Sequence, residues 1–327
     1  MKLDADGWRR CEIGRAELKP LLQRSDKAGL LNLSVFVLPL VATAWAAIFW
    51  QGTAAGIAAL WAYGSIYGFC NSLLHETHHA TPFRTRWINE LVHKLAGLMA
   101  VRNPVYDRWI HTQHHSQTSR DGLDPELAHP APIKVWALVA DLFWLRAAVN
   151  NPILLWRQAF GQMPRDGQKF IPVSEWPKVR QAARAMLAFY GTIILVSVVY
   201  QTWWPLLFTY LAHIYGGLVP RAYSLTQHIG LDQNKDDFRL TTRTCLYNPV
   251  IGAWYWNMQY HIEHHMYPLV PFHQLPALHD AVKHELPAPS RGVIGAWREI
   301  ISCILRQQRE PGYVLNPSLP SYSAPGA

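Results

Sequence analysis

Two long blocks of the 327-residue chain contain no Asp, Glu, Lys or Arg. The first, residues 28–74, is long enough for two membrane-crossing helices of about 20 residues each. A short uncharged break at residues 50–53 divides it. The pattern therefore predicts a helical hairpin made of residues 29–50 and 54–74.

The second charge-free block, residues 185–220, has the same organisation. Its middle, residues 201–205, is short and contains two tryptophans, which favour the depth of a membrane interface. Basic residues flank the open ends of both blocks, whereas the two breaks carry no charge. Because positive charge marks the cytosolic side, we predict four transmembrane helices in two hairpins that return the chain to the cytosol.

Two further segments are apolar but do not have the uninterrupted apolar sequence of a transmembrane helix. Residues 85–101 place apolar side chains on one helical face, which is typical either of a helix in the membrane interface or of an amphipathic core helix. Residues 135–155 are apolar but are interrupted by Asp141, Arg146 and Pro152. We expect this second segment to lie along the surface rather than to cross the bilayer.

The pattern divides the chain into three sections. Residues 1–28 are a polar cytosolic segment, and residues 29–290 form the membrane domain. Residues 291–327 supply a C-terminal helix and a tail, rich in Pro, Ser and Gly from residue 310, that we expect to be disordered. The fold class is thus an all-α membrane protein with a histidine-rich cytosolic cap.

Composition agrees with a membrane protein and excludes other classes. Hydrophobic residues make up 50% of the chain and charged residues 16%, against about 25% charged residues in soluble proteins. The net charge of +8 does not indicate a nucleic-acid partner, because the basic residues lie beside apolar spans and form no long run. The four cysteines are far apart and form no C-x-x-C pair, which argues against disulfides or a thiolate metal site.

The 16 histidines are the strongest chemical signal, and most of them fall in clusters on the predicted cytosolic side. Residues i, i+3 and i+4 share one helical face, so an H-x-x-H-H pattern points three imidazoles the same way. Nine candidate ligands are too many for one tetrahedral zinc and fit two metal ions better. Imidazole suits Fe, Cu, Zn and Ni, so the count leaves the metal open. The nine are His75, His79, His111, His114, His115, His228, His261, His264 and His265.

Other readings of individual histidines stay open. Residues 75–79 match the H-E-x-x-H pattern of zinc proteases, with Glu76 as general base, but a protease leaves two clusters unexplained. Metal transport sites are expected within the spans, whereas these histidines fall just outside them. His213 lies inside an apolar block, as a functional group or as a neutral hydrogen-bonded side chain.

The order of the histidine motifs, with apolar blocks between them, resembles the membrane fatty acid desaturase family over residues 29–290. Residues 227–230, 239–244 and 257–276 are most similar to a bacterial branch that includes rhizopine oxygenase-like proteins. The resemblance implies a di-iron centre, two Fe(II) ions held by the nine histidines, that uses O2 and two electrons. His78 is extra to the family pattern. Side chains that we expect to orient the ligand imidazoles are Glu76, His78, Asp107 and Glu263.

The resemblance implies an oxidoreductase that attacks unactivated C–H bonds. We favour desaturation of a fatty acyl chain, because the site lies beside the bilayer; the alternative is hydroxylation of a small amphiphile or amine in catabolism or secondary metabolism. The sequence has no flavin, nicotinamide, ferredoxin or cytochrome b5 signature, so we expect an external donor, ferredoxin with its reductase. The expected location is the bacterial inner membrane, with both termini and the active site cytosolic.

Overall fold

The computed structural model describes residues 2–3 and 7–320, and these residues are mainly helical. Strands occur among them only as one antiparallel pair, Lys2–Leu3 (β1) and Arg9–Arg10 (β2). The sequence predicts an all-α chain, and this pair is a small correction. It arises in the N-terminal segment, where the N–H of Arg9 also bonds to the carbonyl of Asp236 at 2.8 Å and ties the segment to distant chain.

The first apolar block forms long helices with capped starts. The Ser25 hydroxyl accepts a hydrogen bond from the N–H of Ala28 at 3.2 Å, and Thr53 accepts one from the N–H of Gly56 at 3.2 Å. The cap at Ser25 explains why the first long helix begins a few residues before the predicted residue 29. The helices of this part are α1 (Arg15–Leu21), α2 (Asp26–Phe49), α3 (Ala54–Tyr67) and α4 (Cys70–His78).

α3 and α4 together form one candidate membrane span, Ala54–His78. The helical stretch therefore continues past residue 74, where the predicted helix ends. His75 and His78 lie in its last turn, and His79 follows directly as the C-cap residue. The first histidine cluster is thus fixed to the end of a span.

The chain between the two apolar blocks leaves apolar side chains uncovered. On α5, Trp87, Leu91 and Leu95 follow one another at turn spacing and are 66%, 48% and 50% exposed. Such a stripe favours a helix lying in a membrane interface over a core helix. The helices here are α5 (Arg86–Met99), α6 (Pro104–Ser116), α7 (Val135–Leu142), α8 (Leu145–Ala159) and α9 (Arg165–Phe170).

α7 and α8 meet at an angle of 77°. Trp144, between them, has a φ of 61°, in the left-handed region that turns the chain sharply. Each of the two helices is too short to cross a membrane alone. The expectation that residues 135–155 lie along the surface rather than cross the bilayer stays a prediction.

The second apolar block is one long helix followed by an interrupted one. The sequence predicts a continuous fourth span here, but the described chain forms short helical pieces instead. The N–H of Leu211 bonds to the carbonyl of Leu206, five residues back, and Pro220 has no N–H to offer. The helices are α10 (Trp176–Val199), α11 (Trp204–Leu207), α12 (Ala212–Gly216) and α13 (Leu218–Ser224).

The C-terminal part packs against the histidine motifs. The tail predicted to be disordered from residue 310 is paired with the domain, since the N–H of Leu315 donates to the carbonyl of Gly230 at 2.7 Å. Residues 321–327 of that tail lie outside the described residues. The α-helices are α14 (Phe238–Thr241), α15 (Pro249–Trp254), α16 (His261–Met266), α17 (Leu275–Val282) and α18 (Gly292–Gln307). Short 3-10 turns occupy Val173–Glu175, Phe272–Gln274 and Lys283–Glu285.

Three helical stretches of the described chain are long and apolar enough to cross a membrane: Asp26–Phe49, Ala54–His78 and Val173–Val199. The bent α7–α8 pair reaches this length and apolar character only when its two helices are counted together. Large apolar side chains on the first and third stretches face outward, with Leu38 66% and Val198 68% exposed. Exposed apolar surface on this scale belongs in lipid, and the chain is a membrane protein.

Candidate metal centre

All nine predicted ligand histidines meet in one region of the interior. The ligand atoms of one group lie within 4.8 Å of one another, and so do those of a second group. His79 and His261 belong to neither group, but the Nε2 of His79 is 3.0 Å from that of His111, and the Nε2 of His261 is 3.0 Å from that of His228. The first group is His75, His111, His115 and His264; the second is His114, His228 and His265.

Helical spacing produces this convergence. α6 and α16 each carry an H-x-x-H-H pattern, and α4 contributes His75 together with the cap residue His79. Residues at these spacings lie on one face, so each element presents its imidazoles to the same space. An apolar cluster that includes Leu74, Trp256, Met258 and Ile262 packs α4 against the segment leading into α16.

Three ligand imidazoles have their outer nitrogen bound to an acceptor. The Nδ1 of His228 lies 2.9 Å from the carbonyl of Thr241, and the Nδ1 of His114 lies 2.9 Å from Asp124 Oδ2. Carbonyl and carboxylate oxygens accept only, so Nδ1 carries the proton and Nε2 turns its lone pair inward. The Nδ1 of His111 faces Glu126 Oε2 in the same way, at 3.4 Å.

His265 is oriented by a hydroxyl. The Thr118 hydroxyl donates to the carbonyl of His114 at 2.8 Å, so its oxygen is free to accept from the Nδ1 of His265, 3.1 Å away. The inward Nε2 of His265 then also carries a lone pair. His261 instead has its Nδ1 3.2 Å from the side-chain amide of Gln227.

The facing nitrogens fit metal ions. The Nε2 of His111 lies 3.0 Å from that of His79 and 3.1 Å from that of His115, although Glu126 fixes the His111 proton on the far side of the ring. Within the described chain, both ring nitrogens of His264 are buried without a hydrogen-bond partner. Buried polar atoms are normally satisfied. Lone pairs that face one another repel, and a bound metal ion would accept them and give the unpartnered imidazole nitrogens a ligand role.

The protonation states of three ligand histidines agree with metal ligation, whereas His114 favours its charged form. Burial, followed by the charge of neighbouring imidazoles, holds the pKa values of His261, His264 and His265 well below the usual range. These rings are therefore neutral near pH 7, the form in which imidazole binds a metal. Burial also opposes the charge on His114, but Asp124 outweighs it and raises the pKa of His114.

Two of the side chains expected to orient the ligands form a buried pair beside them. Asp107 Oδ2 lies 2.9 Å from the Nε2 of His78, and Oδ1 lies 2.6 Å from Arg102. Burial raises the pKa of Asp107 to about 7, although Arg102 opposes this rise. The ring of His78 packs 4.7 Å, centroid to centroid, from that of His111. His78 thus contacts a ligand ring through packing.

The other two expected side chains make their hydrogen bonds elsewhere. Glu76 Oε1 accepts from the Thr81 hydroxyl at 2.7 Å and from the N–H of Phe272 at 3.0 Å. Glu263 accepts from the Thr244 hydroxyl at 2.6 Å and pairs closely with the Nδ1 of His279. Among the described residues, neither glutamate has a hydrogen bond to one of the nine histidines. They fasten α4 and α16 to neighbouring chain instead.

The sequence did not predict the residues that orient the ligand histidines. Asp124 and Glu126 belong to a polar loop that gives no periodic signal, and Thr118, Thr241 and Gln227 are ordinary polar residues. One available signal was the presence of three acids, Asp121, Asp124 and Glu126, within a dozen residues after an H-x-x-H-H motif. Metal-bound histidines commonly donate their other N–H to such acids.

A cavity of about 350 Å³ adjoins the histidines. His75, His111, His114, His228 and His261 form part of its wall. Ligand pockets generally measure about 300–1,000 Å³, so this space admits a small molecule beside the candidate metal ligands.

His213 lies apart from the nine histidines. Its Nε2 donates to the carbonyl of Met99 at 2.8 Å, and its ring stacks on Trp144 with centroids 4.4 Å apart. Since the carbonyl only accepts, Nε2 carries the proton. Through these two contacts His213 joins neighbouring segments of the chain.

Comparison with known proteins adds one positive finding. The model of a family described as fatty acid desaturase matches residues 50–296, well over half of the chain and all nine histidines. No protein with a curated description matches the chain.

Proposed function

The chain belongs to the fatty acid desaturase family, and we propose that it is an O2-dependent di-iron oxidoreductase that introduces a double bond into a fatty acyl chain. The observation that carries the proposal is the presence of two groups of imidazoles, each with ligand atoms within 4.8 Å. Two groups favour two metal ions over one.

We assign the iron ligands to the nine histidines. One iron would take its ligands from the group that includes His75 and His264, and the other from the group that includes His114 and His228, with His79 and His261 completing the set. When bound, two Fe(II) ions would supply, with O2 and two electrons, the oxidising power that an unactivated C–H bond requires.

The chain's own part is to hold the ligands and to shield the reaction. Asp124, Glu126 and the carbonyl of Thr241 fix the tautomers of three imidazoles, so that little reorganisation is needed when metal binds. His111, His261 and His264 are at most 1% exposed, which keeps bulk water from the candidate centre.

Hydroxylation of a small amphiphile or amine is the second candidate. The observation in its favour is the polar wall of the adjoining cavity, which includes Asn71, Arg221 and Gln227. A purely hydrocarbon substrate has no use for such groups. The placement in the branch of rhizopine oxygenase-like proteins stays a prediction of the sequence and agrees with this candidate.

A membrane zinc protease is disfavoured by the position of Glu76. This carboxylate is 0% exposed, and its Oε1 is engaged by Thr81 and by the N–H of Phe272. A general base must reach a water on the metal. One of the two carboxylate oxygens of Glu76 is instead held in structural contacts, and the whole group is buried.

We further propose four spans in two hairpins, in the bacterial inner membrane, with both termini and the histidines cytosolic. α2, the α3–α4 stretch and α10 would be three spans, and the interrupted α11–α13 segment the fourth. The basic residues at the open ends of both apolar blocks support this orientation.

The electrons would come from a separate protein, ferredoxin with its reductase. Purified protein supplied with O2, a fatty acyl substrate, ferredoxin, reductase and NADPH is therefore expected to form product, and omission of ferredoxin should abolish it. Mass spectrometry separates the candidates, because desaturation removes two hydrogens and hydroxylation adds one oxygen. Turnover with NADPH alone would contradict the donor assignment, and a peptide-cleaving activity would contradict the oxidoreductase.

A further inference from the structure

The cavity beside the histidines has one cationic wall group whose charge is not paired. Arg221 lies in α13, directly after Pro220, and lines the cavity. Its Nε donates a hydrogen bond to the carbonyl of Asp141 at 3.1 Å. Among the described residues, its two terminal nitrogens have no hydrogen bond, and no carboxylate lies within ion-pair distance. An arginine next to a span is often an interfacial anchor, but this one is bound on one side and faces a cavity on the other.

The carboxylate that acts most strongly on Arg221, that of Asp141, is already engaged. Asp141 Oδ2 lies 3.0 Å from Arg146 and 3.0 Å from the Nε2 of His129. The second arginine of the cavity wall, Arg102, is paired with Asp107 at 2.6 Å. The positive charge of Arg221 is therefore left over for a ligand.

A buried hydroxyl, that of Tyr255, lies in the same wall. Tyr255 is 2% exposed, and its buried phenol oxygen makes no hydrogen bond of standard geometry among the described residues, although the side chain of Gln227 lies beside it in the same wall. A buried donor without a well-placed acceptor is unfavourable, so a ligand oxygen that accepts from it is favoured. Ile110, Leu225 and Met258 supply apolar wall in the same cavity.

We propose that this cavity binds the oxyanion end of a small aliphatic substrate, with Arg221 and the Tyr255 hydroxyl as the groups that recognise it. A guanidinium presents two parallel N–H donors that match a carboxylate or a phosphate. The candidate metal ligands His75 and His261 line the same space, so the oxidised C–H bond lies within a small molecule's length of the charged end. This inference deepens the proposed function and rests on it for the identity of the cavity as a substrate site.

Binding measurements test the proposal without turnover. Isothermal titration of the purified, metal-loaded protein would compare octanoate, octyl phosphate and the neutral octanamide. We expect an oxyanion to bind roughly 10- to 100-fold more tightly than octanamide, the range for a charged hydrogen bond. Tighter binding of octanoate would identify a free carboxylate, and tighter binding of octyl phosphate a phosphate headgroup; either supports the site.

Substitutions in the cavity wall test whether the preference for an oxyanion over octanamide arises in this cavity. Arg221→Gln should remove the preference for the oxyanion while leaving octanamide binding unchanged, and Arg221→Lys should keep part of it. Tyr255→Phe retains the shape and should weaken oxyanion binding by a smaller factor. Arg157→Gln is the matched control, because Arg157 is an exposed arginine of α8 outside the cavity wall.

Two results would overturn the inference. One is octanamide binding as tightly as both oxyanions, and the other is an oxyanion preference that survives in Arg221→Gln. If Arg221→Gln does not fold, Tyr255→Phe decides, because unchanged oxyanion affinity in that variant contradicts the proposal. Metal content, measured on the same samples, reports on the di-iron centre separately, so the two proposals fail independently.

Discussion

At the scale of single residues, the outer nitrogens of the imidazoles decide what the inner nitrogens can do. A carboxylate at Asp124 and a carbonyl at Thr241 each force a proton onto Nδ1 of a histidine. In the neutral ring the inward Nε2 then has a lone pair, and at His114, whose pKa Asp124 raises, a bound metal replaces any proton on that atom. The site is thus prepared for a cation by groups that do not touch it.

Asp124→Asn tests this preparation. The substitution keeps the size of the side chain but removes the charge that favours the proton on the Nδ1 of His114. We expect metal affinity to fall roughly 10- to 100-fold, as is usual for such supporting groups, measured by competition with a chelator. Asp121→Asn, an exposed acid of the same loop, should leave the affinity unchanged. Equal metal retention in Asp124→Asn and the native protein would speak against the orienting role.

Residue spacing explains which of these groups the sequence reveals. His261, His264 and His265 are predictable because helical geometry places i, i+3 and i+4 together. Glu76 and Glu263 lie inside histidine motifs, but they occupy other faces of their helices than the ligand histidines do. Their carboxylates bond to Thr81 and Thr244. The partners that orient the histidines come from loops and distant segments, where no periodic rule applies.

At the scale of elements, α3 and α12 approach so closely that only glycine fits at the contact. A Cβ added to Gly216 would lie 2.1 Å from the carbonyl carbon of Gly64 and 2.3 Å from the backbone nitrogen of Ser65. Backbone atoms cannot rotate away as a side chain does. Small residues at helix interfaces allow this close packing in membranes.

Gly216→Ala is therefore expected to destabilise the protein by about 1–3 kcal/mol, because the two helices must separate to admit a methyl group. Thermal unfolding in detergent measures the effect. Gly191→Ala on α10 is the matched control, since an added Cβ there meets nothing within 4 Å. Equal melting temperatures for the two variants would contradict the packing of α3 on α12.

The elements also show the limits of hydropathy. Residues 28–74 fold as the charge-free pattern predicts, with caps at Ser25 and Thr53 refining the ends. The fourth predicted span is equally apolar, yet its backbone hydrogen bonding shifts between Leu206 and Leu211. Composition reports that a segment is apolar and does not report how regularly its backbone is bonded.

At the scale of the whole molecule, the proposed orientation places the histidines and the two breaks on opposite sides of the membrane. Gln51 lies in the first break and Lys235 beyond the second apolar block, and both are exposed. All four native cysteines are buried, so a thiol reagent is expected to label mainly the cysteine introduced at either position.

A membrane-impermeant maleimide should label Gln51→Cys in spheroplasts, whose outer surface is the periplasmic face. Lys235→Cys should react only after the membrane is opened, because it lies on the cytosolic side. The native chain, treated in the same way, gives the background level of maleimide labelling. Labelling of Lys235→Cys in intact spheroplasts would reverse the orientation and move the histidines out of the cytosol.

The mainly helical character of the chain, its apolar helices and the clustering of its histidines were thus accessible from sequence. The family resemblance is confirmed by the match over residues 50–296. The cavity wall was not accessible, because Arg221 and Tyr255 are distant in sequence and neither belongs to a histidine motif. Convergence of this kind depends on tertiary packing, which no local pattern encodes.

The central claim is that this chain binds two iron ions through its nine histidines, and metal analysis of the purified protein tests it most directly. We predict about two irons per chain, the number that fits the two groups of ligands. His264→Ala should lose iron together with activity, whereas His284→Ala, at an exposed histidine, should retain both. A single zinc per chain, or full iron content in His264→Ala, would contradict the claim.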